Sequence, residues 1–428
     1  MSWKTTFSQP SQVGRKIARR IFSDRRGNVM IIAALSMVPM AGAAGLAMDT
    51  VQWSLARRQL QQQADSGATS GAFARAQSAD VTQAVQTDIT ATNKMPLTST
   101  TIENAPTAGA YAGNTNAVRV VLTASKPLPF SSIFLANAPV IRAESTSMVL
   151  SMGKFCVLAL ERSSAAGVTL TGNATLGLGC GMATNSAAAN AISAGGSSSA
   201  NVTVLAAVGS ISPSSAYNSN VKIYQHSILQ PDPFASLPLP TPSSCSAQIQ
   251  VNPNQVKSIS PGCYSGADIK GTLNLQPGVY YIDGSSGGGF NVGSQANVMG
   301  TGVTIILTST TAASYPASIA VASINGGANL NLTATTSGTY AGILFAQDQR
   351  ALSGPTNLIN GNATSTLQGA LYFPNQSVSF TGTSGLQTQC LQLVAKSVSF
   401  SGNTSITNNC PAASGAQAFN GVIVRLVG

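Results

Sequence analysis

Val168–Cys180, "VTLTGNATLGLGC", and Val398–Cys410, "VSFSGNTSITNNC", align over 13 positions without a gap, although 230 residues separate them. Each stretch alternates apolar and hydroxyl side chains, turns at Gly-Asn, and then alternates again. Alternation of this kind reads as a strand with one buried face, and Gly-Asn reads as a tight corner. Related fragments recur at shorter range. "SVSFTG" at Ser377 returns as "SVSFSG" at Ser397, 20 residues on, and "GILFA" at Gly342 returns as "GALYFP" at Gly369, 27 residues on. Short strands at such periods indicate a solenoid, and a parallel β-helix fits best, with a β-sandwich as the alternative.

The composition agrees with stacked coils. Only 8% of the 428 residues are charged and 6% aromatic, yet 43% are hydrophobic, which excludes simple disorder. Coils stacked about 4.8 Å apart leave room at their corners for Gly, Ser and Asn, and polar side chains can ladder from one coil to the next. Some 250 residues would make about eleven coils, a rod on the order of 50 Å. One segment breaks the pattern: residues 228–244 carry Pro231, Pro233, Pro238, Pro240 and Pro242. Proline at that density excludes regular strands and predicts an extended connector, which either links two solenoid segments or lies along the outside of one.

The six cysteines, Cys156, Cys180, Cys245, Cys263, Cys390 and Cys410, all lie C-terminal to residue 150. An even number without Cys-x-x-Cys spacing points to disulfides in an oxidising compartment rather than to zinc or redox chemistry. Separations near one coil suggest Cys156 with Cys180 and Cys390 with Cys410, leaving Cys245 with Cys263. Each loop would restrain the unfolded chain by roughly 3 kcal/mol.

Catalysis has little to work with. Beyond residue 156 the only acidic residues are Glu161, Asp232, Asp268, Asp283 and Asp348, and His226 is the single histidine of the chain. Scattered carboxylates do not make the clustered acid and base that polysaccharide-active solenoids need. Asp283, in an Ile-Asp-Gly-Ser turn, is expected to cap backbone. No catalytic residue, metal site or cofactor is expected.

The N-terminal part obeys different rules. Residues 1–26 hold seven Lys or Arg against Asp24, so most of the net charge of +10 sits in this tail. The apolar run Gly27–Met48 follows without a charge, long enough to span a bilayer. A basic flank on an apolar span is the positive-inside pattern, so membrane lipid, not nucleic acid, is the expected partner. The run extends past the usual core of a cleaved signal. Good helix formers then continue through Gln77, predicting an anchor with a helical stalk. Asp49 is read first as the water boundary of the span. Ala64, Ala68 and Ala72, with Gly67 and Gly71, form a small-residue strip that would let another helix approach closely. In residues 80–150, Val- and Ile-rich runs flank the short apolar stretch Phe130–Leu135, which fits two or three strands and a short helix packed on the stalk.

"RGNVMIIAALSMVPMAGAAGLAMD" followed by "ARRQLQQQADSGATSGAFA" resembles the N-terminal segment of TadE/TadG-like proteins of the tight-adherence (Flp) pilus assembly system. Arg26 and Gly27 precede the apolar helix, Gly45 and Asp49 form Gly-x-x-x-Asp, and Leu60, Gln61, Ala64 and Asp65 form Leu-Gln-x-x-Ala-Asp. Many TadG-like proteins also carry a von Willebrand A-type domain, but Asp283–Gly287 lacks the last ligand of its metal site, so no such domain is expected. The expected organisation is a basic cytoplasmic tail at 1–26, a transmembrane helix and stalk at 27–79, an α+β segment at 80–150 and a β-solenoid at 151–428. The resemblance implies a non-enzymatic pilus-assembly component in a bacterial inner membrane, with its C-terminal region periplasmic and other pilus components as partners. A solenoid face that binds cell-envelope glycan or peptidoglycan is the alternative.

Overall fold

The computed structural model describes residues 28–92, 95–239, 242–381, 385–408 and 418–428. Its first element, α1, is a 49-residue helix, Asn28–Ala76, roughly 70 Å long, with Pro39 inside its apolar half. The stretch from Met30 onward is long and apolar enough to cross a membrane, and none of its most apolar 18-residue window is covered by the rest of the protein. The second half of α1 is packed. Ala56, Leu60, Ala64, Ala68 and Ala72, four residues apart, are all fully buried.

That stripe is covered by the chain's own α+β unit. Helix α2, Val81–Thr92, starts at Asp80, whose carboxylate caps it by accepting from Gln83 N–H at 2.9 Å. Strands β1 (Leu97–Glu103), β2 (Ala117–Ser125) and β3 (Val140–Ala159) form an antiparallel sheet. A fourth strand comes from the far end of the chain, Phe419–Leu426, antiparallel to β3. Val85, Ile89, Val118, Val120, Leu122 and Ile141 complete a core with the α1 stripe.

β3 belongs to two structures at once. Its first part lies in the antiparallel sheet, while Val157, Leu158 and Ala159 pair in parallel with Leu393–Ala395 on one side and Met182–Thr184 on the other. The strand therefore runs without a break from the α+β unit into the solenoid. Gly153, at φ +136°, accommodates the change of direction, and Gly421 opposite leaves space that the Phe155 ring fills.

The chain is mainly β, and its large part is a parallel β-helix with three strands per coil, as in Ala267–Ile269, Thr272–Leu275 and Gly278–Asp283. Among the described residues one face is a nine-stranded parallel sheet, and a parallel bridge from Ile192 to Ile211 adds a further coil at its end. Coil length varies. Cys245 and Cys263, on neighbouring coils, are 18 residues apart, whereas Ala322 and Asn357 on neighbouring coils are 35 apart, the extra residues forming loops at the corners.

Stacking order does not follow chain order. The nine strands run from Ile249–Val251 through Ala267–Ile269, Phe290–Val292, Ala322–Ile324, Thr356–Ile359, Ser377–Phe380 and Val398–Phe400. They then continue into Val168–Leu170 and Ile192–Ala194. The last coil of the chain thus abuts the first. The two stretches that align in sequence are these neighbours, and their alignment is their register: Val398 faces Val168, Phe400 faces Leu170, Ser405 faces Thr175 and Ile406 faces Leu176. Asn173 Nδ2 donates to Asn403 Oδ1 at 2.8 Å across the junction. The shared Gly-Asn corner needs its glycine, since Gly172 and Gly402 sit at φ +70° and +73° and a Cβ on Gly172 would meet Gly402 backbone at 3.0 Å.

Inward-facing side chains form apolar ladders. Val251, Ile269, Val292 and Ile324 line up on successive coils, and Phe380 stacks on Phe400 with ring centroids 5.2 Å apart. Burying each such side chain contributes roughly 1.5–3 kcal/mol. Polar ladders also form, Ser377 with Ser397 at 2.7 Å and Ser379 with Ser399 at 2.8 Å. After Lys222–Tyr224, at the end of the N-terminal coils, the proline-rich segment travels back along the outside to the opposite end of the stack, where Ile249 begins the climb. It joins two solenoid segments, and Phe234, Leu237 and Leu239 pack on the outside of the coils.

Candidate functional site

The residues singled out in the sequence gather where α1 leaves its apolar half. Gly45 faces the ring of Phe130 so closely that a Cβ there would lie 2.3 Å from it. One turn later the buried Asp49 carboxylate accepts from Phe130 N–H at 3.0 Å, Ser131 N–H at 2.5 Å and the Ser131 hydroxyl at 2.5 Å. Gly-x-x-x-Asp is therefore a two-part clasp. The glycine seats an aromatic ring, and the aspartate caps the short 3-10 helix Ser131–Ile133 that follows it. Asp49 is not merely the boundary of the span. It fixes the loop between β2 and β3 to the helix.

Leu60, Gln61, Ala64 and Asp65 lie about three to four turns further on. Gln61 Nε2 donates to Asp65 Oδ1 and to Glu144 O, both at 2.9 Å, which ties α1 to β3. Thr69 donates to Asp65 O at 2.7 Å and touches Ser147 Oγ at 3.2 Å. Ala64, Ala68 and Ala72 are fully buried, and a Cβ on Gly71 would meet Val85 at 2.7 Å and Val118 at 2.8 Å. The small-residue strip accordingly packs against α2 and the sheet of the same chain. It is not a free face for another helix, because the close approach that small residues permit is already taken. Beyond it, Arg75 donates to Thr115 O and, at 2.6 Å, to Asn104 O. Gly27 lies outside the described residues.

Two disulfides pin the solenoid. Cys156 is joined to Cys180 and Cys245 to Cys263, the paired residues lying about one coil apart with Cα atoms at 5.8 and 4.6 Å. Of the expected pair Cys390 and Cys410, Cys410 lies outside the described residues.

The solenoid's carboxylates are engaged in structural bonds. Glu161 faces Lys396 at 3.6 Å, Asp268 faces Lys270 at 3.0 Å, and Asp348 holds Arg350 at 2.5 Å while accepting from Thr308 at 2.8 Å. Asp283 caps its turn, accepting from Ser285 N–H at 3.0 Å, the Ser285 hydroxyl at 2.6 Å and Thr310 N–H at 2.9 Å. Asp232, on the proline-rich segment, accepts from the buried Tyr372 hydroxyl at 2.8 Å. Among the described residues no group of three or more His, Cys, Asp or Glu is placed to hold a metal ion. An open groove of about 570 Å³ is lined by Asn291, Ser323, Asn325, Asn360 and Thr381, with Asp268 as its one carboxylate.

Ser131 was not singled out in the sequence, nor was the role of its loop. The signal was present as the apolar stretch Phe130–Leu135, but its pairing with Asp49 spans 82 residues and belongs to tertiary structure. No curated protein and no solved structure matches the chain. One protein family does, over the helix that carries the clasp and the buried stripe: residues 27–77 match the family described as Flp pilus-assembly TadE/G-like.

Proposed function

We propose that the protein is a membrane-anchored structural or assembly component of a Flp/Tad-type pilus apparatus. In this reading α1 crosses the inner membrane once, residues 1–26 are cytoplasmic, and the α+β unit and solenoid stand in the periplasm. The carrying observation is that the family match, residues 27–77, coincides with one helix whose apolar half is uncovered and whose stalk half is the core of a folded unit. The basic tail favours a cytoplasmic N-terminus, and the disulfides Cys156–Cys180 and Cys245–Cys263 favour an oxidising compartment for the rest. Carboxylates occupied as caps and ion pairs favour assembly over catalysis.

Reporter fusions at about residue 20 and about residue 160, read with the mass of the mature N-terminus, test the topology. Activity of a periplasm-specific reporter at the first position, or a mature chain lacking the apolar run, would refute it. The assembly role is tested by replacing residues 160–417 with a short glycine-serine linker, which retains the strand Phe419–Leu426 beside β3. Loss of pili is expected, and normal piliation would remove the solenoid from the assembly reading.

A further inference from the structure

The loop after β2 presents three adjacent large apolar side chains to solvent: Ile133, Phe134 and Leu135 are 71%, 73% and 51% exposed. Soluble surfaces scatter such residues singly, and a contiguous cluster marks an interaction site. Its position says with what. Phe130, tilted at 59° to the Phe134 ring with centroids 5.4 Å apart, rests on Gly45, one turn before Asp49. The cluster is therefore continuous with the uncovered apolar surface of α1, where Leu46 and Met48 are 58% and 60% exposed.

The surrounding residues are layered as a bilayer interface requires. The buried Asp49 carboxylate is compensated by three donors from the loop. Trp53 lies one turn above it, with the Arg57 guanidinium 5.6 Å from its ring, and Arg58 is exposed beside them. Tryptophan and arginine at this height are suited to the headgroup region, with apolar side chains below them.

We propose that residues 130–135 form a second membrane contact, in which Ile133, Phe134 and Leu135 insert into the acyl boundary of the bilayer that α1 crosses. The occupant is lipid, and the contact depends on α1 being the membrane anchor proposed above. Two attachments, the helix and the loop clasped to it by Asp49, hold the α+β unit at a set height and tilt instead of leaving it to pivot on a single helix.

The test uses the full chain in vesicles of phosphatidylglycerol and phosphatidylcholine, the latter brominated near the headgroup end of its acyl chains. Bimane is attached without reductant to Phe134→Cys, Ile133→Cys, Leu46→Cys or Asn325→Cys, with the unsubstituted chain as background. Labels at 134, 133 and 46 are expected to lose most of their emission to the brominated lipid, while the label at 325, on the solenoid, keeps its emission. Quenching at 46 with none at 134 or 133 would overturn the loop contact and leave the anchor standing. That result would also be expected if a second protein covered the loop in the cell. Absence of quenching at 46 as well would overturn both readings.

Discussion

At the scale of single residues, Gly45 and Asp49 act on the same loop by different physics, one by leaving space and the other by satisfying backbone donors. Gly45→Leu and Asp49→Ala are each expected to free residues 130–139, which limited proteolysis of the detergent-solubilised protein reads as faster cleavage there. Gly42→Leu, at a position with nothing within 4 Å, is the control and should cleave like the parent. Equal cleavage of all three variants would mean the clasp does not hold the loop. The solenoid's aspartates carry a pH dependence whose sign follows from their partners. Burial pushes Asp283 upward, but hydrogen bonds from the Ser285 hydroxyl and from Thr310 and Ser285 N–H outweigh it and hold it below the ordinary value of 3.8. Asp348 is likewise pushed up by burial and held below 3.8 by Arg350 and Thr308. A carboxylate lowered in the fold contributes stability that is complete above its unfolded value and is lost as the pH falls through its folded one. Asp232 runs the other way, since burial raises it against its bonds from Phe234 N–H and Tyr372, so its contribution diminishes as the pH rises. The melting temperature is expected to fall on acidification from about pH 5 to about pH 3. Asp283→Asn with Asp348→Asn should start lower and show a shallower fall. An unchanged slope in circular-dichroism melts would exclude these two groups as its source.

Among the elements, the proline-rich segment behaves as a strap. Gln77 Nε2 donates to Leu229 O near its start at 2.5 Å, and Asn185 and Gln230 exchange bonds at 2.7 and 2.9 Å. Further along, Phe234 packs edge-on against Tyr372 with centroids 5.3 Å apart, and Tyr340 donates to Pro238 O at 2.9 Å. Phe234, Leu237 and Leu239 thereby cover Tyr340, Ile343 and Tyr372 on the outside of the coils. Proline suits this role because the strap needs no ladder of its own and gives up little conformational freedom on docking. Tyr372→Phe removes the donor to Asp232 and is expected to lower stability by about 1 kcal/mol. Phe234→Ala, at a half-buried position, should cost about 1–2 kcal/mol. Both are read from urea midpoints, and midpoints equal to the parent would mean the strap is not energetically docked.

For the whole molecule, the join between the last coil and the first makes the solenoid a single cooperative object. Val398–Phe400 lies between Ser377–Phe380 and Val168–Leu170, and the chain then returns to complete the α+β sheet beside β3. A chain ending at residue 396 would split the stack, expose two coil edges and strip β3 of its neighbour. Amides of β3 from 147 to 155 are expected to lose their hydrogen-exchange protection in that truncation, although residues 28–159 are intact. Retained protection there would show that the α+β unit folds independently of the C-terminal strand.

Much of this was legible from local pattern, because alternation, Gly-Asn corners and coil-length cysteine spacing each follow from the geometry of one strand or one turn. The long apolar helix, the stacked β-coils and the capping role of Asp283 belong to that class, and even the register at the Val168 and Val398 junction was written in the aligned residues. What that alignment meant was not legible: similarity between two coils says they share a shape, not that they touch. Adjacency depends on which unpaired strand edges meet after the strap has carried the chain to the far end. The alanine and glycine strip of α1 is ambiguous for the same reason. Small side chains permit close packing without naming the surface that packs, and here α2 and β2, supplied by the same chain, reach it at no cost in association.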